Sequence, residues 1–322
     1  MSRIEMIVNA TENNCVKIAV HNGKFHTDEI MALVWLSLAG IEYEVIRTRD
    51  PKEFESADLV FDLGGKNEGK YFDHHQREFD KTHTNGIKMA ACGLVWEDLS
   101  EKILDNILPE GASINVRKLV RTKIEERLVV PTDTSDNGLT GAMNPLSPLS
   151  LTEIVNAMNS PVHEEQEAAF TNALSFVRSV VLSMIKSWIN VATEDDRIYN
   201  EILSQEGCSV LVLDKPGPWI QAVLNHWEES LGFKVCIFPD LSAKEESWRI
   251  QTFPGSKDNS FEMRCPAPKK IRGLKEGQFS YEFSNMTFVH PTGFIGGVRG
   301  NVNEALVTAN AWVQQATGRV VI

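Results

Sequence analysis

The stretch "VKIAVHNGKFHTDEIMALVWLSLAG" (residues 16–40) joins a short β-branched run to an apolar helical run through a polar segment. Residues 16–20 predict a buried strand, and residues 28–40 predict a buried helix with an acidic first turn and Gly40 as its stop. Further strands are predicted at 43–48 and 58–65, and further helices at 92–104 and 115–130. Strands separated by helices indicate an α/β fold with a parallel sheet and helices on its faces.

The C-terminal part of the chain shows a second set of elements. A loop is predicted at 137–150, which is rich in Gly, Asn, Pro and Ser, and a long helix follows at about 164–191. Beyond it, the predicted strands are 208–214, 233–238, 248–253 and 286–290, and the predicted helices are 219–230 and 302–316. We therefore predict two lobes: an N-terminal parallel-sheet domain over 1–195, which includes the long connecting helix, and a smaller C-terminal α/β domain over 196–322.

The charge of the chain restricts its partners. The formal net charge of −12 over 322 residues excludes a protein whose whole surface binds polyanions, so any nucleic acid must be contacted locally. Between Arg249 and Lys275, however, seven basic residues stand against two acids. This basic window is either a solvated loop or an electropositive lip over an anionic substrate.

Cysteine usage and hydropathy indicate the compartment. The five cysteines are far apart and contain no C-x-x-C pair, which predicts reduced thiols in an intracellular, reducing compartment. Cytoplasm, nucleus and mitochondrion stay open, as does a homo-oligomer. No unbroken apolar run approaches the ~18 residues of a membrane span, so no membrane partner is expected. No G-x-G-x-x-G or G-K-[ST] pattern occurs, so no nucleotide cofactor is expected either.

Acids and histidines collect where the predicted elements end. Two segments follow apolar strands directly, a third is "YFDHHQREF" (71–79), and a fourth is "PTDTSDNG" (131–138) after a helix. Since the carboxyl ends of parallel strands share one edge of a sheet, we expect these segments to converge. The candidate residues are His21, His26, Asp28, Asp62, Asp73, His74, His75, Asp133 and Asp136.

Such a set of side chains predicts a metal site. Crowded carboxylates and imidazoles repel one another and lose hydration, and a divalent cation offsets both costs. A His/Asp set without cysteine suits Mn²⁺ or Mg²⁺, and five or more ligands suit two ions bridged by one carboxylate. Taken singly, some members have structural explanations: Asp28 could cap the helix that begins at residue 29, and "DNG" (136–138) is a turn signal.

The stretch "HPTGFIGGVRG" (290–300) predicts an anion-binding segment. Glycines allow backbone N–H groups to approach an anion, an arginine can hold a phosphate at two oxygens, and a histidine can donate to one. The residues predicted to bind substrate are His290, Gly293, Gly296, Gly297 and Arg299. The alternative is a glycine turn that leads into the helix at 302–316.

These motifs carry a resemblance to a known family. "HNGKFHTDE" (21–29), "DLGG" (62–65), "YFDHHQREF" (71–79) and "FVHPTGFIGGVR" (288–299) resemble the MYG-type (melanocyte proliferating gene) family, often labelled metal-dependent protein hydrolase and related to the DHH phosphoesterase superfamily. The resemblance covers nearly the whole chain. It implies a DHH-like catalytic domain, a C-terminal substrate-binding domain, two Mn²⁺ or Mg²⁺ ions, and a phosphodiesterase, specifically a 3′–5′ exonuclease acting on RNA or short oligonucleotides.

The resemblance also implies roles for single residues. Asp28, Asp62, His74 and one acid of the pair Asp133 and Asp136 would be metal ligands, with Asp62 as the bridge. His21 or His26 would complete the first site. Asp73 and His75 would serve catalysis, His75 behind the ligands or facing the scissile phosphate. The first motif is rich in histidine where many relatives of the wider superfamily have two aspartates, which leaves the histidine assignment and the metal preference open.

Two other functions fit the same residues. One is hydrolysis of a small phosphate compound, such as pyrophosphate, polyphosphate, a phosphate monoester or a cyclic dinucleotide. The other is a non-catalytic module that senses a nucleotide. Protein hydrolysis has no support, because the sequence contains neither an H-E-x-x-H helix nor a recognisable Ser or Cys nucleophile.

Overall fold

The computed structural model describes residues 1–11, 15–139, 149–259 and 261–318. The chain divides into two compact units, an N-terminal unit, Met1–Asn190, and a C-terminal unit, Val191–Ile322. The loop predicted at 137–150 lies largely outside the described residues. The two-lobe arrangement and the boundary after residue 195 stay predictions.

A four-stranded parallel sheet forms the centre of the N-terminal unit. Its strands are β1 (Cys15–Val20), β2 (Glu42–Arg47), β3 (Leu59–Phe61) and β4 (Tyr71–Phe72), in the order β2-β1-β3-β4. All three neighbouring pairs are parallel. The sheet confirms the predicted α/β class, and it brings the carboxyl ends of β1, β3 and β4 to one edge.

Helices pack against this sheet and against one another. They are α1 (Arg3–Ala10), α2 (Thr27–Leu38), α3 (Pro51–Glu55), α4 (Ala91–Ile107), α5 (Ile114–Ile124), α6 (Val130–Asp136) and α7 (Leu151–Met158). Nearly every residue of α2 is buried because the helix is apolar on all sides beyond its first turn. Trp35 of α2 packs on Trp96 of α4, with ring centroids 5.0 Å apart, which joins the two helices that begin at the candidate site.

The helix predicted to end at residue 130 continues to Asp136. A π-helical turn, Glu125–Val129, links α5 to α6. A proline usually marks the end of a helix, but Pro131 stands at the first turn of α6, where its missing N–H matters least. Asp133 and Asp136 therefore lie in a helix and not in a loop, and their three-residue spacing places them on neighbouring positions of one face.

The C-terminal unit contains a mixed five-stranded sheet. Strands β5 (Val210–Val212), β6 (Val235–Pro239), β7 (Ser247–Thr252), β8 (Met286–Val289) and β9 (Ile295–Arg299) run in the order β5-β6-β7-β9-β8. Only the pair β5 and β6 is parallel, and the other pairs are antiparallel. The helices of this part are the end of α8 (Gln166–Ser204), α9 (Trp219–Asn225) and α10 (Val302–Thr317). The indole of Trp312 in α10 is buried and donates to the Cys265 carbonyl at 3.0 Å.

Helix α8 is longer than the sequence predicted. Among the described residues, one helical stretch, His163–Ser204, is long and apolar enough to cross a membrane, and 28% of its apolar window is buried. Length and composition alone are weak evidence, because long helices of soluble proteins pass the same test. The expectation of no membrane partner therefore stays a prediction.

The predicted glycine segment is partly a strand. Gly293 lies in a turn with φ +83°, whereas Gly296 and Gly297 lie in β9, which pairs with β7 on one side and β8 on the other. A Cβ on Gly296 would stand 2.7 Å from the Met286 Cε and 3.0 Å from the Phe288 carbonyl oxygen. Close packing at the centre of the sheet therefore explains Gly296, and pairing on both sides engages the backbone there in ladder hydrogen bonds.

Gly296→Ala should lower the free energy of unfolding by about 1–3 kcal/mol, the usual cost of an overpacked core. Gly232→Ala is the matched control, since its Cβ would meet only the Cys208 carbonyl oxygen at 3.9 Å and should change stability by less than about 0.5 kcal/mol. Urea unfolding followed by tryptophan fluorescence measures both. Equal stability of the two variants would contradict this packing role.

Candidate metal centre

The first group of candidate ligands surrounds the start of α2. His21 directly follows β1, and its Nε2 lies 3.2 Å from Glu29 Oε1 and 3.3 Å from Asp62 Oδ2. The His26 ring lies 5.1 Å from the His21 ring, centroid to centroid. One ligand atom from each of His21, His26, Glu29 and Asp62 lies within 4.8 Å of the others. The two predicted histidines are thus brought together with Asp62, and Glu29 joins them.

The second group of candidate ligands shares Asp62 with the first. His75 Nδ1 lies 3.3 Å from Asp62 Oδ1, and the rings of His74 and His75 lie 4.3 Å apart. One ligand atom from each of Asp62, His74 and His75 falls within 4.8 Å of the others. Asp62 therefore turns Oδ2 towards one group and Oδ1 towards the other, the geometry that a bridging carboxylate needs.

The backbone at Asp62 is held in an uncommon conformation. Among the described residues it is the only non-glycine with positive φ, at +50°. Its N–H donates to the Phe72 carbonyl at 3.0 Å, which ties the end of β3 to the end of β4. Such backbones cost about 1–3 kcal/mol and cluster at functional sites. The conformation presents the Asp62 carboxylate between the two groups.

Asp73 lies behind His75 and outside both groups of ligands. Its Oδ1 accepts the backbone N–H of His75 at 3.0 Å and lies 2.7 Å from the ring Nδ1, and its Oδ2 accepts the Gly65 N–H. Burial raises the pKa of Asp73, but the bonds from His75 and Gly65 outweigh it, so the pKa lies below its usual value. The ionised Asp73 holds the His75 ring in one orientation.

Asp28 is turned towards the start of α4. Its Oδ2 accepts the N–H of Ala91 at 3.0 Å, and its Oδ1 accepts the N–H of Cys92 at 2.7 Å. Burial and then the charges of Asp136 and Asp62 raise the pKa of Asp28. The carboxylate thus satisfies two N–H groups that the first turn of α4 leaves without a partner. The structure does not bring Asp28 into either group, and its role as a ligand stays a prediction.

The structure separates Asp133 from Asp136. Asp133 Oδ1 accepts the Gly93 N–H at 3.1 Å, and its Oδ2 lies 2.6 Å from His83 Nε2. Asp136 Oδ2 instead lies 3.2 Å from His74 Nε2. Burial and then the charge of Asp62 raise the pKa of Asp136 to about 7. Of this pair, Asp136 is the acid that faces a group of candidate ligands.

Two residues of the site were not singled out in the sequence. Glu29 is buried, lies in the first group and caps α2 by accepting the His26 N–H at 2.8 Å. Its only signal was its position in the acidic first turn. His83 orients Asp133, and nothing local marks it in the sequence. Gly93 leaves room for the Asp133 and His83 side chains, since a Cβ at this position would overlap Asp133 Oδ2 and lie 3.1 Å from His83 Nε2.

The donor atoms of the two groups fit divalent cations. Two of their atoms, Glu29 Oε2 and His74 Nδ1, are buried and have no hydrogen-bond partner among the described residues. Two more, His21 Nε2 and Asp62 Oδ1, are buried and have only ion-pair contacts at 3.2–3.3 Å. A buried polar atom without a partner costs about 1–3 kcal/mol, so a cluster of them is unfavourable unless something binds there. Imidazole nitrogens together with carboxylate oxygens are the donors that divalent transition-metal ions prefer.

The residues predicted to bind substrate lie apart within the C-terminal unit. His290 is exposed, with its Nδ1 2.9 Å from Thr292 Oγ1, and Gly293 donates to the His290 carbonyl. Arg299 is half exposed and pairs with Glu276 at 2.7 Å and Glu245 at 3.2 Å. The length of β9, at about 3.3 Å per residue, separates His290 from Arg299. The two side chains also line different cavities.

The basic window forms a cavity in the C-terminal unit. Four of its cations line a cavity of about 600 Å³: Arg264, Lys269, Lys270 and Arg272. Arg249 instead pairs with Asp240 at 2.6 Å. The window is therefore an electropositive surface over part of its length.

The chain is similar to several known proteins. The family model described as "Uncharacterised protein family (UPF0160)", with MYG1 exonuclease in its short name, matches residues 17–310. A MYG1 protein of Schizosaccharomyces pombe is 33% identical over 317 residues, covering 88% of this chain and 94% of that one. The MYG1 exonuclease of Mus musculus is 30% identical, covering 87% and 80% respectively.

Among solved structures, a pGpG-specific phosphodiesterase, PggH from Vibrio cholerae, covers 95% of this chain and 99% of its own at 10% identity. The TM-score is 0.32.

Asp62→Asn should abolish metal binding at both groups, because an amide cannot share charge between two ions. His74→Ala should remove one ion and leave the first group loaded. Asp80→Asn, at an exposed position, should retain both ions. Metal content of the purified proteins after equilibration with Mn²⁺ measures this. If the Asp62→Asn protein still bound both ions, Asp62 would not be a ligand shared by the two groups.

Metal binding at neutral pH should release protons. Burial lowers the pKa of His21, but the carboxylates of Asp62 and Glu29 outweigh it and raise the pKa to about 10, so the free site carries a proton that a metal must displace. Affinity should therefore rise with pH up to about 10, roughly tenfold per pH unit for each proton released. Calorimetric titration with Mn²⁺ in two buffers of different ionisation enthalpy measures the release. Identical heats in both buffers would rule it out.

Proposed function

The chain belongs to the UPF0160 family, and we propose that it is a divalent-metal-dependent phosphodiesterase that removes nucleotides from the 3′ end of RNA or short oligonucleotides. Proteins named MYG1 exonuclease among its relatives support a nuclease. The observation that carries the proposal is Asp62, whose two oxygens face two groups of imidazole and carboxylate donors.

The two groups would hold two ions of the Mn²⁺ or Mg²⁺ type. His21, His26 and Glu29 would hold one, and Asp62 would contribute to both. At the second group, His74 together with the nearby Asp136 would hold the other ion, which leaves His75 for proton transfer. When bound, such ions lower the pKa of a water and neutralise charge on phosphoryl oxygens. The chain must then position the phosphodiester and hold a proton near the leaving oxygen.

His75 is suited to hold the proton near the leaving oxygen. Its side chain is 61% exposed, while Asp73 holds its Nδ1. The hydrogen bond to Asp73, opposed by burial and helped by Asp62, raises the pKa of His75 above its usual value. Because Asp73 engages Nδ1, Nε2 is the ring nitrogen from which His75 would pass a proton to a phosphoryl oxygen or to the departing oxygen. Asp73 acts through His75 and does not touch the substrate.

The charge distribution favours chain ends over long duplexes. A net charge of −12 repels an extended polyanion, whereas Lys269, Lys270 and Arg272 at the basic cavity offer local phosphate contacts. Arg264 lines the same cavity, but its guanidinium donates to the carbonyls of Ser230, Phe233 and Pro254. We propose that the C-terminal unit serves as the substrate-binding domain. This assignment accounts for a basic surface on an acidic protein.

With Mn²⁺, a 5′-labelled RNA should be shortened stepwise from its 3′ end, and chelator should stop the reaction. Asp62→Asn should lower kcat by about 10³-fold, and His75→Ala by about 10²-fold, because each removes charge stabilisation at the reacting phosphate. His163→Ala, at an exposed position, should match the unmodified protein. A gel ladder and initial rates provide the measurement.

The same assay separates the alternatives. Intact RNA together with phosphate release from pyrophosphate, polyphosphate or a monoester would replace the nuclease with a small-phosphate hydrolase. Tight binding of oligonucleotide without any turnover, unchanged in His75→Ala, would replace it with a nucleotide-sensing module.

A further inference from the structure

A cavity of about 550 Å³ in the C-terminal unit lies where β7 ends and the turn before β9 begins. We propose that it binds an unpaired nucleobase near the 3′ end of the substrate, an inference that rests on the function proposed above. Its volume lies within the roughly 300–1,000 Å³ of small-molecule sites. The residues that carry the argument are Gln251, Phe261, Glu262, Met263, His290 and Phe294.

Two phenylalanine rings at this cavity remain accessible to solvent. Phe261 is 91% exposed and Phe294 is 36% exposed. The Phe294 ring packs edge-on against the His290 ring, with centroids 4.7 Å apart, which orients it. A single exposed apolar side chain needs no explanation, but two aromatic rings at one cavity provide the stacking surface with which proteins hold unpaired bases.

Polar groups at the edge of the cavity match the edge of a base. Gln251 lies at a partly exposed position of β7, between the buried Ile250 and Thr252. Its amide makes no hydrogen bond to any described residue, so two N–H donors and one carbonyl acceptor are available. The exposed His290 adds a ring nitrogen, because only its Nδ1 is held by Thr292. A nucleobase presents donors and acceptors of this kind along its edge.

The charge of the cavity selects a base over a phosphate. Glu262 is the only acid that lines it, and neither lysine nor arginine lines it. An anion would be repelled, whereas a neutral ring would not. Met263 lines this cavity and the next residue, Arg264, lines the basic cavity. One backbone segment therefore borders both the apolar cavity and the basic cavity.

The test compares a short RNA with the same RNA carrying abasic residues at its 3′ end. With the Mn²⁺-loaded full chain, Phe261→Ala and Phe294→Ala should each raise KM for the normal RNA about tenfold and leave kcat unchanged, since stacking contributes to binding and not to the chemical step. The abasic RNA should have a high KM with the unmodified protein, and neither substitution should change it further. Tyr281→Ala, which removes a 94% exposed ring outside the cavity, should behave as the unmodified protein.

Outcomes distinguish this inference from the function it rests on. Equal KM for the normal and abasic RNA would overturn the base site and leave the proposed nuclease function intact. Phenylalanine variants with the same KM as Tyr281→Ala would have the same consequence. This result is expected if the natural occupant of the cavity is an apolar peptide. If no RNA is hydrolysed, binding of an oligonucleotide containing 2-aminopurine is measured in chelator. Fluorescence quenching that disappears in Phe261→Ala would support the base site without the nuclease, and absence of quenching would refute it.

Discussion

A single carboxylate with two usable faces is the constraint on which the rest of the site depends. Asp62 ends β3 with a positive φ, and its N–H is fixed to the carbonyl of Phe72 on the neighbouring strand. One oxygen consequently meets the buried His21 and the other meets His75. Neither group of candidate ligands is complete without this residue. The parallel register of β1, β3 and β4 determines which side chains lie on either side of it.

The N-terminus of α4 makes the density of acids near Asp62 tolerable. Asp28 and Asp133 accept N–H groups of residues 91, 92 and 93, so two buried carboxylates lie at the positive end of a helix. The helix N–H groups offset part of the cost of burying them, although burial still raises the pKa of both carboxyls. Asp136 and Glu29 remain to face the imidazoles. Helix capping and metal ligation thus use the same residue type within one site, which is why the spacing of acids alone does not identify the ligands.

The C-terminal unit carries surfaces of different character. The glycines of β9 permit close packing of the sheet, and the two ends of that strand carry His290 and Arg299 on separate surfaces. A cationic cavity and an apolar aromatic cavity adjoin one backbone segment around Met263 and Arg264. On a protein with net charge −12, the proposed binding of a nucleic-acid end would depend on such local contacts, with different groups for the base and the phosphate.

The sequence by itself determined the α/β class, most strands and helices, and the convergence of His21, His26, Asp62 and His74, because hydrophobic periodicity defines strands whose carboxyl ends must share an edge. It did not distinguish Glu29 from Asp28, since consecutive residues of a helix point about 100° apart and only the neighbouring helix reveals which faces the ligands. It did not separate Asp136 from Asp133 either, because three-residue spacing puts both on one face of α6. Only the contacts of Asp133 with the N-terminus of α4 and with His83 distinguish them. Nor did it locate His83, or show that Gly296 packs within a strand, because those roles are created by contacts between segments distant in the chain.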